Sequence, residues 1–397
     1  MLGKPLTVRH FFTKFTSLGG VESMLNNHFS RDLEHGVDSQ FCIYLETGSP
    51  ADNESRVTYL GWHRDMRIRA LRRDLSHGIG GGEVCVAIYH TMWAMLYVAD
   101  LDFAQRRILV LHSDQPDLET QVKRRQRLLD GIICVNPELA KIVRQWLPNW
   151  DEKRVTVTHY PVDRPVKFAS QVARPIKRPL RIGYCGRLSL QQKRIDRLPA
   201  LCAALQKHHV DYHLELAGQG PDHAVLENAF AGSDNVTFLG RLEGDAYWEA
   251  LARWDFVVFV SDFEGTPIGL IEAMSVGVLP LYPDIGSGGE AYVAQVNEAF
   301  VYSQEDFDAL ARTLVKLNEA SADIVEELRQ KARSAVKGHL RGDYFSDVAA
   351  FASTVHSMPR QSLTRVARGV VLMSWFRFRS MGRLGAVRRT LRALFGR

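Results

Sequence analysis

The sequence predicts an α/β protein built as two doubly wound, parallel-sheet domains, and three observations carry that prediction. A chain of 397 residues exceeds what one hydrophobic core holds comfortably. Short apolar, β-branched and aromatic runs alternate with helical stretches across 180–302, and such alternation implies right-handed crossovers between parallel strands. Residues 169–179, with Pro175, Pro179 and several basic side chains, interrupt the pattern as a linker. The expected division is a first domain over 1–168, a second over 178–345, a helix over 346–360 packing back toward the first domain, and a tail over 361–397.

Composition narrows the class. At 46% apolar and 24% charged residues the chain is ordinary globular material. Cys42, Cys85, Cys134, Cys185 and Cys202 are scattered, without a Cys-x-x-Cys pair, and read as reduced core residues, not as a disulfide frame or a zinc site. No apolar leader precedes a cleavage site, and no apolar run approaches the roughly 20 residues of a spanning helix, so a cytoplasmic protein is expected. The net charge of +5 is uneven: residues 361–397 hold nine Arg, no Lys and no acid, leaving 41 basic against 45 acidic residues in 1–360. Within that tail Leu363, Val366, Val370 and again Leu384, Val387, Leu391 recur at helical spacing around Trp375, Phe376 and Phe378. A basic amphipathic tail of this kind suits the anionic inner face of a membrane; five arginines within 62–73 form a second basic stretch.

In the first domain, strands are expected at 8–12, 39–45, 83–90, 107–111 and 131–135, with a mobile glycine loop at 80–82. A loop ending in Gly19-Gly20 and a helix over 21–34 follow the first strand, a layout that suits a phosphate, although the third glycine of a dinucleotide fingerprint is missing. His112-Ser113-Asp114 falls at the C-terminal end of a strand, where open α/β sheets place ligands.

In the second domain, strands are expected at 180–184, 212–217, 236–239, 256–260, 278–282 and 299–302. The stretch 255–280 is the most informative. Phe256 to Val260 is apolar throughout, as a strand buried on both faces requires. Thr266 is then placed to cap a helix whose first residue is Pro267, leaving the amides of Ile268 and Gly269 free for an anion. Glu264 lies in the loop and Glu272 in the helix, eight residues apart, so they span at most about 12 Å. That is the reach from a sugar across a diphosphate to a ribose, with the helix N-terminus between them. On its own the pattern also describes two solvated acids on an amphipathic helix; its place between a strand end and a helix start favours the site.

Glu264-x7-Glu272, with Ser261 before it and Glu272-Ala-Met and Gly277-Val-Leu-Pro280 after it, resembles the signature of the retaining GT-B glycosyltransferases of family GT4. Gly265-Thr266-Pro267 departs from that family's usual Gly-Phe-Gly. Further similarities are Gly19-Gly20, Gly186-Arg187-Leu188, Lys193, the Gly218-x-Gly220 turn, the segment 155–163 without its usual glycine, and the glycine-rich turn 284–290. The resemblance implies two facing Rossmann-like domains and transfer of a sugar from a UDP- or GDP-linked donor to a hydroxyl of a glycan or glycolipid, with retention and without a metal or other cofactor. It implies that His112 lies near the reacting sugar, that Glu264 holds sugar hydroxyls and Glu272 the ribose, and that Arg187 and Lys193 hold the diphosphate. Gly20, Gly186, Gly218, Leu242, Ile268, Gly269 and Leu270 complete the implied donor site. It also implies a setting in bacterial cell-surface polysaccharide or lipopolysaccharide synthesis. Two alternatives are a nucleotide-sugar epimerase of the same fold and a nucleic-acid-binding protein; the latter leaves the motifs around 187–193 and 264–272 without a role.

Overall fold

The computed structural model describes residues 5–360 apart from 16–20, 22–23, 26–27, 29–30, 48–55, 63–69, 71, 74, 76–83, 93–94, 96–100, 102–103, 114–116, 170–175, 177 and 341–343. Gly20, the glycine loop at 80–82, most of the basic stretch 62–73 and the whole of the tail 361–397 lie outside the described residues.

The first sheet comprises β1 (Leu6–Phe12), β2 (Val37–Ile43), β3 (Val57–Tyr59), β4 (Val84–Tyr89), β5 (Ala104–Leu111), β6 (Gly131–Cys134) and β7 (Val155–Val157). Its spatial order is β3-β2-β1-β4-β5-β6-β7, parallel throughout. α1 (Leu118–Arg125) and α2 (Pro137–Trp146) cross over between its later strands. The second sheet comprises β8 (Leu180–Cys185), β9 (Tyr212–Ala217), β10 (Val236–Gly240), β11 (Phe256–Val258), β12 (Leu279–Pro283) and β13 (Val301–Tyr302), in the parallel order β10-β9-β8-β11-β12-β13. Its helices are α3 (Leu198–Lys207), α4 (His223–Ala229), α5 (Gly244–Arg253), α6 (Ile268–Ser275), α7 (Gly289–Val296), α8 (Phe307–Asn318) and α9 (Ala322–Ala335). Strand order changes direction between β1 and β4 and between β8 and β11. Those switch points are where doubly wound sheets open a crevice beyond the strand ends.

Three local differences from the sequence reading have simple causes. β3, absent from the expected strands, is a three-residue edge strand held by the pairing of Val57, Thr58 and Tyr59 with Phe41, Cys42 and Ile43. The run at 299–302 begins as a 3₁₀ turn over Glu298–Phe300, capped by Asn297, so only two residues reach the sheet. The helix expected over 21–34 ends in a 3₁₀ turn at Asp32–His35, closed by Gly36 at φ 74°.

Each sheet has its own core, and all five cysteines are free, four of them buried. The last described helix, α10 (Tyr344–Ser357), returns to the first sheet and buries Tyr344, Phe345, Val348, Phe351 and Val355 in that core. Tyr344 and Phe345 therefore pack with the first sheet, although the sequence division places them at the end of the second domain.

One buried ion pair fastens α9 beneath the second sheet. Arg329 donates to Asp255 at 3.1 Å and to the carbonyl of Gly277 at 2.9 Å, and both side chains are buried. The other carboxylate oxygen of Asp255 accepts from the amide of Arg181 at 3.1 Å, so the pair joins α9, the start of β8 and the entry to β11. Removing the cation would strand a buried carboxylate, which costs about 3–5 kcal/mol. Arg329→Ala is expected to lower the second domain's unfolding free energy, from urea titration, by an amount in that range at unchanged slope, and so to lower the midpoint. An unchanged midpoint would show that the pair contributes nothing to the fold.

Candidate active site between the two sheets

The C-terminal edges of the two sheets meet. Ser113, just past β5, forms an isolated antiparallel bridge with Gly265. A Cβ built on Gly265 would lie 1.7 Å from the carbonyl oxygen of His112, so no side chain fits there. Next to this contact, the Thr266 hydroxyl donates to the carbonyl of Val135 at 2.9 Å, and the Asn136 amide donates to the carbonyl of Ser287 at 3.1 Å. The sequence reading of Thr266 as a helix cap is therefore corrected. Its hydroxyl is spent on the facing sheet, and Pro267 takes the cap position without a side-chain hydrogen bond.

Glu264 is buried at the foot of this loop. It accepts from Lys193 at 2.5 Å, from the Ser261 hydroxyl at 2.6 Å and from Gln192 at 3.4 Å. Lys193 is aimed by its neighbour: Arg194 has left-handed backbone at φ 46°, held there by contacts from its guanidinium to Asp196 and Asp262 at 3.0 Å each. The two residues expected to hold different parts of a donor are thus each other's counter-charge. Arg187 stands exposed on the loop after β8. Gly186 and Gly218 let the exits of β8 and β9 touch, since a Cβ on Gly218 would lie 1.9 Å from the carbonyl oxygen of Gly186.

α6 rises from this floor. Its first internal bonds run from the amides of Leu270 and Ile271 to the carbonyl of Pro267. Only Ile268 and Gly269 precede that ladder and present their amides at the helix mouth. The expectation for Leu270 is corrected: its amide is spent inside the turn and its side chain is fully buried. Glu272, half-buried on the same helix, accepts from the Tyr247 hydroxyl at 2.6 Å. Burial pushes its carboxyl up to about 6, with the Tyr247 hydrogen bond opposing the shift. Tyr247 has little signal in the sequence beyond its place on α5 next to the buried Trp248. Leu242 is half-buried against the second core near the β10 exit. The glycine-rich turn after β12 is closed on itself, because Glu290 accepts from the amides of Ile285 at 2.8 Å and Ser287 at 3.1 Å.

His112 faces the cleft with its backbone, while both ring nitrogens are committed within the first domain. Nδ1 meets the Tyr160 hydroxyl in a short hydrogen bond, and Nε2 meets His90 at 3.1 Å. Burial lowers its imidazolium to about 3, so the ring is neutral at physiological pH. Deeper along the same row, ligand-type atoms of His10, His28 and Asp32 converge within 4.8 Å. They are already hydrogen-bonded, His28 to Asp32 at 2.9 Å and His10 to the Ser39 hydroxyl at 3.3 Å, with Ser39 in turn donating to Asp32.

Comparison with known proteins accords with this geometry. Residues 179–320 match the family described as "Glycosyl transferases group 1". Over 183 residues the chain is 27% identical to the amylovoran biosynthesis glycosyltransferase AmsK of Erwinia amylovora, a match that spans 44% of either chain. The lipopolysaccharide outer core galactosyltransferase WaaB superposes with a TM-score of 0.66 at 16% identity, over 87% of this chain and 99% of that one. HepE of Anabaena, solved with UDP and glucose, gives 0.65 at 14% identity over 88% and 99%. Sucrose-phosphate synthase of Thermosynechococcus elongatus gives 0.67 at 14% over 87% and 97%. Two facing parallel sheets of seven and six strands, in the arrangement of these solved structures, identify the fold as GT-B.

Proposed function

We propose that this protein is a retaining glycosyltransferase that moves a sugar from a nucleotide diphosphate sugar to a hydroxyl of a glycan or glycolipid, without a metal. The observation that carries the reading is the 264–272 loop and helix. It sets a buried carboxylate, a lysine and a free helix N-terminus in one place, directly opposite the end of β5. The likeness of residues 179–320 to group 1 glycosyl transferases supports it. UDP in the HepE structure and in the pneumococcal O-GlcNAc transferase GtfA is consistent with a UDP-linked donor.

As the sugar–phosphate bond breaks, the diphosphate gains charge. The amides of Ile268 and Gly269, Lys193 and Arg187 would meet that charge, and such contacts strengthen in the transition state. Glu264, held by Lys193 and Ser261, is placed to accept sugar hydroxyls and not to act as a free nucleophile. In this reading the phosphate departs and the acceptor attacks on the same face of the ring. The product setting we infer is bacterial cell-surface polysaccharide or lipopolysaccharide assembly, a reading to which AmsK and WaaB lend support.

Three outcomes test this reading. Glu272, titrating near 6, accepts ribose hydroxyls only as the carboxylate. Affinity for an intact nucleotide sugar, which has no group titrating there, should be full above pH 7 and fall as pH drops through 6. Calorimetry on Glu272→Gln should find binding weaker at pH 7.5 and nearly flat with pH; a wild-type affinity independent of pH between 5 and 8 would remove Glu272 from the site. Arg187→Ala and Lys193→Ala should each lower kcat by about 10²-fold, the usual effect of losing one charge-stabilising donor, with turnover persisting in excess EDTA. Magnesium-reversible loss of all activity would contradict metal independence, and donor turnover without any acceptor would point instead to an epimerase.

The third outcome concerns the tail. Among the described residues no helix is long and apolar enough to cross a membrane. We infer that residues 361–397 dock the protein on the anionic inner face of the cytoplasmic membrane, each arginine near the surface contributing about 1 kcal/mol at most. Truncation after Arg360 should abolish sedimentation with phosphatidylglycerol vesicles while sparing transfer to a soluble acceptor analogue. Full sedimentation of the truncated protein at low salt would shift the role to the arginines of 62–73.

A further inference from the structure

Four aromatic rings stand in a row across the C-terminal edge of the first sheet, three from the adjacent strands β1, β4 and β5 and the fourth from beyond β7, past β6. His10 comes from β1, His90 follows β4, His112 follows β5, and Tyr160 lies beyond β7. Adjacent strands lie about 4.8 Å apart, so one ring per strand builds a ladder at near-contact spacing. The centroids are 5.2 Å apart for His10–His90, 5.3 Å for His90–His112 and 5.8 Å for His112–Tyr160, each pair stacked. His10, His90 and Tyr160 are buried. At the far end, Ser39 of β2 stands between His10 and the buried Asp32.

The hydrogen bonds along this row have one sense. Burial pushes the Asp32 carboxyl up, but His28, hydrogen-bonded to it at 2.9 Å, and His10, 3.8 Å away, outweigh that and hold the group well below the usual carboxylate range. Asp32 is therefore an acceptor only. The single hydroxyl proton of Ser39 goes to Asp32, so Ser39 Oγ accepts from His10 Nε2 at 3.3 Å. Burial lowers the His10 imidazolium to about 4 and those of His90 and His112 further, so all three rings are neutral. His10 Nδ1 then accepts from His90 Nε2 at 2.9 Å, and His90 Nδ1 accepts from His112 Nε2 at 3.1 Å. His112 Nδ1, left with a lone pair, accepts from the Tyr160 hydroxyl. One carboxylate thus dictates every tautomer for five residues, ending at the residue whose carbonyl abuts Gly265.

We propose that Asp32, Ser39, His10 and His90 are positioning residues of the transfer reaction, acting through this one-way ladder to fix His112 at the cleft as its Nε2–H tautomer. This rests on the glycosyl-transfer reading above. None of the four touches the cleft. They act by holding the ring of His112 between His90 and Tyr160, and so the carbonyl at the end of β5 against the loop that carries Glu264.

Ser39→Ala removes the hydroxyl that links His10 to Asp32, whose nearest atoms are otherwise 3.8 Å apart, and leaves every contact of His112 in place. Transfer kinetics should show kcat lowered between about 3-fold and 100-fold, the range for a misaligned reacting group, with donor KM unchanged. Ser39→Thr, which restores the hydroxyl, should recover most of the loss. Histidine ¹⁵N NMR of the whole protein should show His112 as neutral Nε2–H in the wild type and as a tautomer mixture in Ser39→Ala. An unchanged kcat in folded Ser39→Ala, a wild-type His112 carrying its proton on Nδ1, or one equivalent of zinc in the purified protein that is lost in His28→Gln would each overturn the proposal. A wild type that transfers no sugar would sink the glycosyl-transfer reading and the catalytic role together, while the NMR result would still decide whether the ladder fixes the tautomer.

Discussion

The approach of Gly265 to the carbonyl of His112 is the constraint on which the rest of the molecule turns. Two sheets with separate cores have little reason to hold one relation unless their backbones touch, and here they touch where a side chain cannot exist. The Ser113–Gly265 bridge, the Thr266–Val135 hydrogen bond and the Asn136–Ser287 hydrogen bond all lie along that seam. The return of the chain through His339, which is bonded to the carbonyl of Tyr160 at 2.9 Å and to Tyr292 at 3.0 Å, ties a second point. The loop that carries the chemistry is thereby part of the joint between the domains, so whatever moves one domain against the other moves Glu264 as well.

Several charges of the second domain are paired with one another. Lys193 and Glu264 neutralise each other, Arg194 and Arg197 share Asp262, and Glu290 is used up by the amides of its own turn. In the proposed reaction a diphosphate arriving at the mouth of α6 would compete with Glu264 for Lys193, and the sugar hydroxyls would offer Glu264 new donors in exchange. Because a buried charge without a partner is costly, that exchange would give phosphate and sugar a shared reason to bind together.

Much of this was legible in sequence where the signal was local. The strands of the second domain appear as uninterrupted apolar runs because both faces of a parallel sheet are covered, and the observed strands fall on them within a few residues. The loop from Glu264 to Glu272 was visible because strand, loop and helix follow one another without interruption. What sequence hid was contact between distant segments. Thr266 looks like a helix cap beside Pro267, and only the fold shows its hydroxyl reaching Val135, 131 residues away. Tyr247 gains significance only from the Glu272 carboxylate that it meets, and the rings at 10, 90, 112 and 160 form a row only once the strand order is known.

The departure of Gly265-Thr266-Pro267 from the more usual Gly-Phe-Gly also gains a physical account. A phenylalanine at 266 could not donate to the Val135 carbonyl, and a glycine at 267 would not set φ for the helix start as proline does at −69°. With both substitutions the loop is stiffer and is pinned to the opposite sheet by a directional bond. The position after Gly265 thus supplies a hydrogen bond across the seam. Since the same loop carries Glu264 and opens α6, a residue that tightens the domain joint also fixes where the helix N-terminus points, and in the proposed reaction positioning of the donor and closure of the cleft would be one property of the chain.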